Sequence, residues 1–237
     1  MARESVYIDR DKMARTVMVP IYLRRKASRP EVKAGVLDAS LVNVPKQALE
    51  QYEKGLEAAQ SADSKKSIEY LKSAIAIYQD FGAALNELGV QYLKIGQAEK
   101  AAEVLRSAVK LKPDSSPWCL NYGIALLNKN DFEGARQQLS EAIKKNDSSA
   151  TAHMYLGIAF ARLKKLDEAE AELARAVSLG RNEVGMAHKY LGGIYWSKSQ
   201  FKRAADELEK YLELTPKAPD AERIRGSIKE LRAKSKA

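Results

Sequence analysis

Glycine returns at a fixed interval along this 237-residue chain, and that interval constrains the fold more than any other feature. Gly89 recurs as Gly123 and Gly157, each about 34 residues on, with Gly55 one period earlier and Gly192 one residue late. The extra residue falls in the loop "GRNEVG", Gly180 to Gly185, where an insertion is tolerated. Other columns keep the register: Ala101, Ala135, Ala169 and Ala204; Leu71, Leu105, Leu139, Leu173 and Leu208; Ala74, Ala108, Ala142 and Ala176. A glycine inside a helix costs up to about 1 kcal/mol relative to alanine, so its recurrence asks for a packing reason. The expected reason is close approach of the helix carrying Gly89 to the alanine face of the next helix, at Ala101 and Ala108.

Each period reads as two helices, because apolar residues recur at helical spacing in two stretches separated by "KIGQ", "NKND", "RLKK" or "SKSQ". Leu88, Gly89, Tyr92, Ala101 and Pro113 together resemble the tetratricopeptide repeat family. Tyr122, Gly123, Leu126 and Ala135 carry the match in the third unit, Leu156, Gly157, Phe160 and Ala169 in the fourth, and Leu191, Gly192, Tyr195, Ala204 and Pro216 in the fifth. The resemblance implies an all-α, right-handed superhelical solenoid of about five helix pairs over residues 46–216, with units near 48–81, 82–115, 116–149, 150–184 and 185–217. The first unit departs from the pattern at Lys54 and Ser67, which replace an apolar residue and an alanine, as expected of a partly solvated terminal repeat. Residues 218–237 read as a capping helix and basic tail, with Ala221, Ile224, Ile228 and Leu231 at helical spacing. A solenoid needs such a cap because its last repeat otherwise exposes an apolar face.

Residues 1–45 are different in kind. "SVYID" and "TVMVPIYL" are rich in β-branched and aromatic residues and predict a short hairpin or extended segment, followed by the linker "RRKASRPEVKAG". Pro20 confines the second strand to an edge or a bulge. A lone hairpin is marginal in water, so support must come from the first repeat, from another copy through strand pairing, or from an upstream β-domain. The last is favoured by resemblance to multidomain bacterial tetratricopeptide proteins, in which the segment would be the tail of a β-sandwich module.

The net charge of +9 is concentrated at the ends. Residues 1–45 hold nine Lys/Arg against five Asp/Glu and residues 217–237 hold seven against three, which leaves 24 bases and 23 acids between them. That distribution disfavours a basic groove through the body and leaves nucleic-acid or anionic-surface binding to the two ends. No apolar run reaches the length of a membrane span and the first thirty residues lack the core of a secretory signal. The chain alone thus reads as cytoplasmic, or as periplasmic or secreted if an upstream signal and β-domain precede it.

No catalytic, cofactor or metal constellation is legible. His153 and His188 share a column with Leu85 and Cys119, four residues before the glycine, where the helix faces its partner. Both read as structural. "GLEAAQSADSKKS" lacks the second glycine and the preceding strand of a phosphate loop. Asp167, Glu168, Glu170 and Glu172, interleaved with alanines, read as a solvated face.

The expected activity is therefore non-enzymatic recognition of a protein or peptide in the concave groove that the family resemblance implies. Half a turn from the packing side, the first helices present Leu56, Val90, Ile124 and Ile158 as an apolar stripe, with Lys94, Asn128 and Arg162 as a ladder of donors. Asn121, Tyr155 and Tyr190 complete the candidate partner-binding set. The same stripe could equally pack neighbouring first helices against each other. The chaperone-tail clamp of some family members is matched by Asn121 alone, which disfavours that partner. A third role, accessory module of a larger bacterial envelope or secreted assembly, is compatible with the first.

Overall fold

A computed structural model describes residues 43–180 and 184–236. The hairpin expected near the N-terminus and the middle of the "GRNEVG" loop lie outside the described residues. The described residues form eleven helices and no strand: α1 Lys46–Gln60, α2 Ser64–Ile77, α3 Gly82–Lys94, α4 Ala98–Leu111, α5 Ser116–Asn128, α6 Phe132–Lys145, α7 Ala150–Arg162, α8 Leu166–Leu179, α9 Gly185–Ser197, α10 Phe201–Leu214 and α11 Ala221–Lys234. They fall into two compact units divided between Lys129 and Asn130.

One turn geometry joins the two helices of every pair. Ala62, Gly96, Asn130, Lys164 and Ser199 occupy the same place in successive repeats, and all have positive φ, from 58° to 73°. The next residue's N–H then donates to a carbonyl five residues back, as in Asp63→Ala58 (3.0 Å), Gln97→Tyr92 (2.9 Å), Lys165→Phe160 (2.9 Å) and Gln200→Tyr195 (2.8 Å). This is the left-handed C-terminal stop of a helix. That donor residue also precedes the second helix, and where it is aspartate its carboxylate caps the new helix: Asp63 accepts from Lys66 N–H and Asp131 from Gly134 N–H, both at 3.0 Å.

In the unit of residues 43–129, α1 packs on α2, α2 on α3, α3 on α4 and α4 on α5, while the first helices α1, α3 and α5 touch in turn. The unit of residues 130–236 repeats the scheme from α6 to α11, with α7 beside α9. The columns read from the sequence form the core. Leu71, Leu105, Leu139 and Leu173 are fully buried, as are Ala101, Ala135, Ala169 and Ala204 and the column from Ala74 to Ala176.

The glycines approach the leucines rather than the alanines. A Cβ on Gly89 would stand 2.3 Å from Leu105 Cγ, on Gly157 2.6 Å from Leu173 Cγ, and on Gly192 2.7 Å from Leu208 Cγ. The expectation for Ala101 and Ala108 is thus corrected: the branched Leu105 side chain reaches across to the helix axis, and only a glycine leaves room for it.

Of the two residues that set the first pair apart, Ser67 is buried and Lys54 is solvated. Ser67 sits at 0 % exposure in the alanine column, its hydroxyl without a hydrogen-bond partner among the described residues. Lys54 is exposed. At the other end α11 lies on α10 and buries Ala221, Ile224 and Leu231, leaving Ile228 half-buried. Arg232 of α11 clamps the same helix through Asp206 at 2.6 Å and Glu209 at 2.7 Å.

Candidate functional site

The first helices of neighbouring pairs lie side by side, so their outward faces form one surface within each unit. In residues 43–129 that surface carries Leu56 on α1, Val90 and Lys94 on α3, and Asn121 and Asn128 on α5, all half-buried. Ile124 is 4 % exposed. Several polar side chains here are already engaged. Asn121 Nδ2 donates to Asn86 Oδ1 at 3.0 Å, bridging α5 to α3. Glu87 accepts from Gln91 Nε2 at 2.6 Å, and Gln91 Oε1 accepts from the Ser64 hydroxyl at 2.9 Å. Asn128 Oδ1 is buried with no donor among the described residues.

In residues 130–236 the corresponding side chains are Tyr155, Ile158 and Arg162 on α7 and Tyr190 on α9. Tyr155 is 2 % and Ile158 8 % exposed, so both offer a partner little area. Arg162 is held from two directions, as its Nη2 donates to Asn130 Oδ1 at 3.2 Å and its guanidinium lies 4.6 Å from the Phe132 ring centre, and its charge also acts on Tyr190 of α9. Burial of its hydroxyl pushes the Tyr190 pKa up, and Arg162 only partly offsets that. Tyr190 as a whole is half-buried.

The two histidines are structural, each held by a glutamate of its own second helix. His153 Nδ1 lies 2.6 Å from Glu172 Oε2 and its Nε2 2.9 Å from the Asp147 carbonyl, with 7 % of the residue exposed. His188 Nδ1 lies 2.6 Å from Glu207 Oε2, with 6 % exposed. Each bond ties the first helix of a pair to its second. The signal was present in the spacing, since both carboxylates follow their histidine by the same interval, whereas the matching positions beside Leu85 and Cys119 are Val104 and Gln138. Burial pushes the Glu207 carboxyl up, but the hydrogen bond and charge of His188, with help from Lys210, leave it below its ordinary value.

The run of acids on α8 is likewise corrected. Glu172 serves His153, and Glu170 binds Lys198 at 2.7 Å and faces Arg203 at 3.5 Å, so both are partly withdrawn from solvent. The Lys198 hydrogen bond holds Glu170 below the usual carboxylate range. Asp167, which also meets Lys198, and Glu168 remain exposed.

Much of the basic C-terminal helix is neutralised within the chain. Arg223 meets Asp220, Arg225 meets Glu222, Arg232 meets Asp206 and Glu209, and Lys234 meets Glu230. Among the described residues no three His, Cys, Asp or Glu side chains cluster as metal ligands, and no helix is long and apolar enough to cross a membrane.

A tetratricopeptide repeat family model matches residues 52–116 and 120–184. No curated protein matches the sequence. Among solved structures the chain is similar to PilW, described as a widely conserved type IV pilus biogenesis factor, at 19 % identity and a TM-score of 0.70, over 81 % of this chain and 89 % of that one. It is similar to MamA from Desulfovibrio magneticus RS-1 at 21 % identity and a TM-score of 0.65, over 74 % and 99 %. It is also similar to YrrB, described as having an unusual peptide-binding site, at 17 % identity and a TM-score of 0.61, over 76 % and 92 %.

Proposed function

Because this chain belongs to the tetratricopeptide repeat family, whose helix pairs build interaction scaffolds, we propose that it is a non-catalytic scaffold that holds a peptide or helix of another protein on the outward faces of its first helices. The observation that carries this reading is the surface of residues 43–129. There Leu56 and Val90 are half-buried beside Lys94 on helices that touch in sequence. A half-buried aliphatic on a rigid helix can be desolvated by a partner with little ordering cost. Tyr190, half-buried on α9, supplies an amphipathic contact on the second unit. Ile124, at 4 % exposure, underlies the surface of residues 43–129.

The test is capture of interacting proteins by the full chain and by a Val90→Glu/Lys94→Glu variant, at low and high salt and after nuclease treatment. Capture that survives salt and nuclease and is lost in the variant supports the reading. Capture that vanishes with nuclease or salt and ignores the variant supports binding of polyanions through the basic ends instead.

A further inference from the structure

Four of the recurring glycines are each met by a leucine on the second helix of the same pair: Gly55 by Leu71, Gly89 by Leu105, Gly157 by Leu173 and Gly192 by Leu208. Gly226 of α11 continues the column one period, about 34 residues, after Gly192. A Cβ there would meet nothing within 4 Å. By register α11 is therefore a first helix whose second-helix side is open among the described residues. The flanking positions agree. Four residues before and three after the glycine, α3 buries Leu85 and Tyr92 and α9 buries His188 and Tyr195, whereas α11 places Glu222 and Lys229 there, both exposed. With exposed Arg225 and Gly226 they share an arc of about 100°. The Glu222 side chain stays 89 % exposed despite its pairing with Arg225. The ion pairs of α11 leave Lys229 without a carboxylate among the described residues.

We infer that this face of α11 is a contact between two copies of the chain, each laying its α11 antiparallel across the other's. The occupant follows from charge. About a two-fold axis between Arg225 and Gly226, Glu222 of each copy stands opposite Lys229 of the other, and the methylene stem of each Arg225 lies over the open Gly226. A parallel arrangement would set Glu222 against Glu222 and Lys229 against Lys229, which like-charge repulsion opposes. An apolar helix of the kind that fills the other glycines is opposed by the same residues, because it would bury Arg225 and Lys229 without partners for their charge. A groove of about 500 Å³ between α10 and α11 adjoins the face, shares Arg225 and Lys229 with it, and adds Leu212 and Ile228 as apolar area. With 14 residues, α11 is about 21 Å long. A contact of that length is smaller than a stable interface needs, so the dimer forms in proportion to concentration. It leaves the outward faces of the other first helices free, and it stands or falls independently of the capture of other proteins.

The experiment is sedimentation equilibrium of the full chain over a range of concentrations, with Glu222→Lys and Lys229→Glu made as separate variants. The intact chain should rise from the mass of one chain toward that of two. Each variant alone should stay at one, because like charges then face each other at both crossings. Their helical circular dichroism should match that of the intact chain, since both side chains are exposed. An equimolar mixture of the two variants should recover the dimer, because every opposed pair is again of opposite sign. An intact chain that stays monomeric would overturn the assignment. So would variants that dimerise as well as the intact chain, which would move the contact to another surface, or a mixture that fails to recover the dimer.

Discussion

Gly89 and Ser67 show how a single atom decides the packing between paired helices. Adding a methyl at Gly89 would improve helix propensity by up to about 1 kcal/mol but would place Cβ 2.3 Å from Leu105 Cγ. Overpacking of this kind costs about 1–3 kcal/mol, so Gly89→Ala should lower the urea midpoint. Gly226, whose Cβ would meet nothing within 4 Å, provides the control: Gly226→Ala should raise the midpoint. Ser67 gives the opposite case, a buried hydroxyl with no partner among the described residues in a column otherwise filled by alanine. Ser67→Ala should stabilise the chain by roughly 1 kcal/mol, because the desolvation of an unsatisfied hydroxyl is removed without opening a cavity. A neutral or destabilising result in the same titration would mean that the hydroxyl is satisfied.

The helix-pair turn carries its own test. Left-handed backbone at Lys164 and Ser199 costs about 1 kcal/mol for a residue with a side chain. Lys164→Gly should therefore stabilise despite the extra freedom of the unfolded chain, and Gly96→Ala, at φ 73°, should destabilise by a similar amount. Circular dichroism melts of the two variants would check both signs. The helix-to-helix bond at Glu207 predicts a pH effect. Its carboxyl lies below its ordinary value when folded, so it adds stability above the usual carboxylate range, and that stability is lost as pH falls through the folded value. The urea midpoint of the intact chain should therefore drop more steeply below about pH 4 than that of Glu207→Gln. Much of this level was legible beforehand: the breaks at "KIGQ", "NKND", "RLKK" and "SKSQ" fall at the turns because each supplies the residue that goes left-handed. What escaped was pairing between columns. Periodicity fixes which side of a helix a residue occupies but not which side chain reaches across, so it pairs the glycines with alanine where their neighbour is leucine and leaves each histidine without its glutamate.

At the scale of the molecule, the terminal helix is the part with the clearest energetic role. α11 buries Ala221, Ile224 and Leu231 against the last pair, and each large aliphatic contributes about 1.5–3 kcal/mol when fully buried. Removing residues 218–237 should lower the melting temperature by roughly 10 °C, at about 2–4 °C per kcal/mol for a chain of this length. An unchanged melt would deny the helix that role. The sequence made the helix-pair order readable because every unit restates it, while the candidate binding residues were readable only as a face of a helix. Burial of Tyr155 and Ile158, against half-open Val90 and Leu56, depends on what lies above each helix, and no local pattern encodes that. The histidine columns have one more implication. Where a first helix carries His153 or His188, its own second helix carries Glu172 or Glu207, whereas the pairs with Leu85 or Cys119 carry Val104 or Gln138. A recombinant array that exchanged single helices between these pairs would strand a part-buried carboxylate or a buried imidazole opposite an aliphatic, a thiol or an amide instead of its ionisable partner. Whole pairs could be transplanted without that mismatch, so the smallest portable piece of this protein is two helices long.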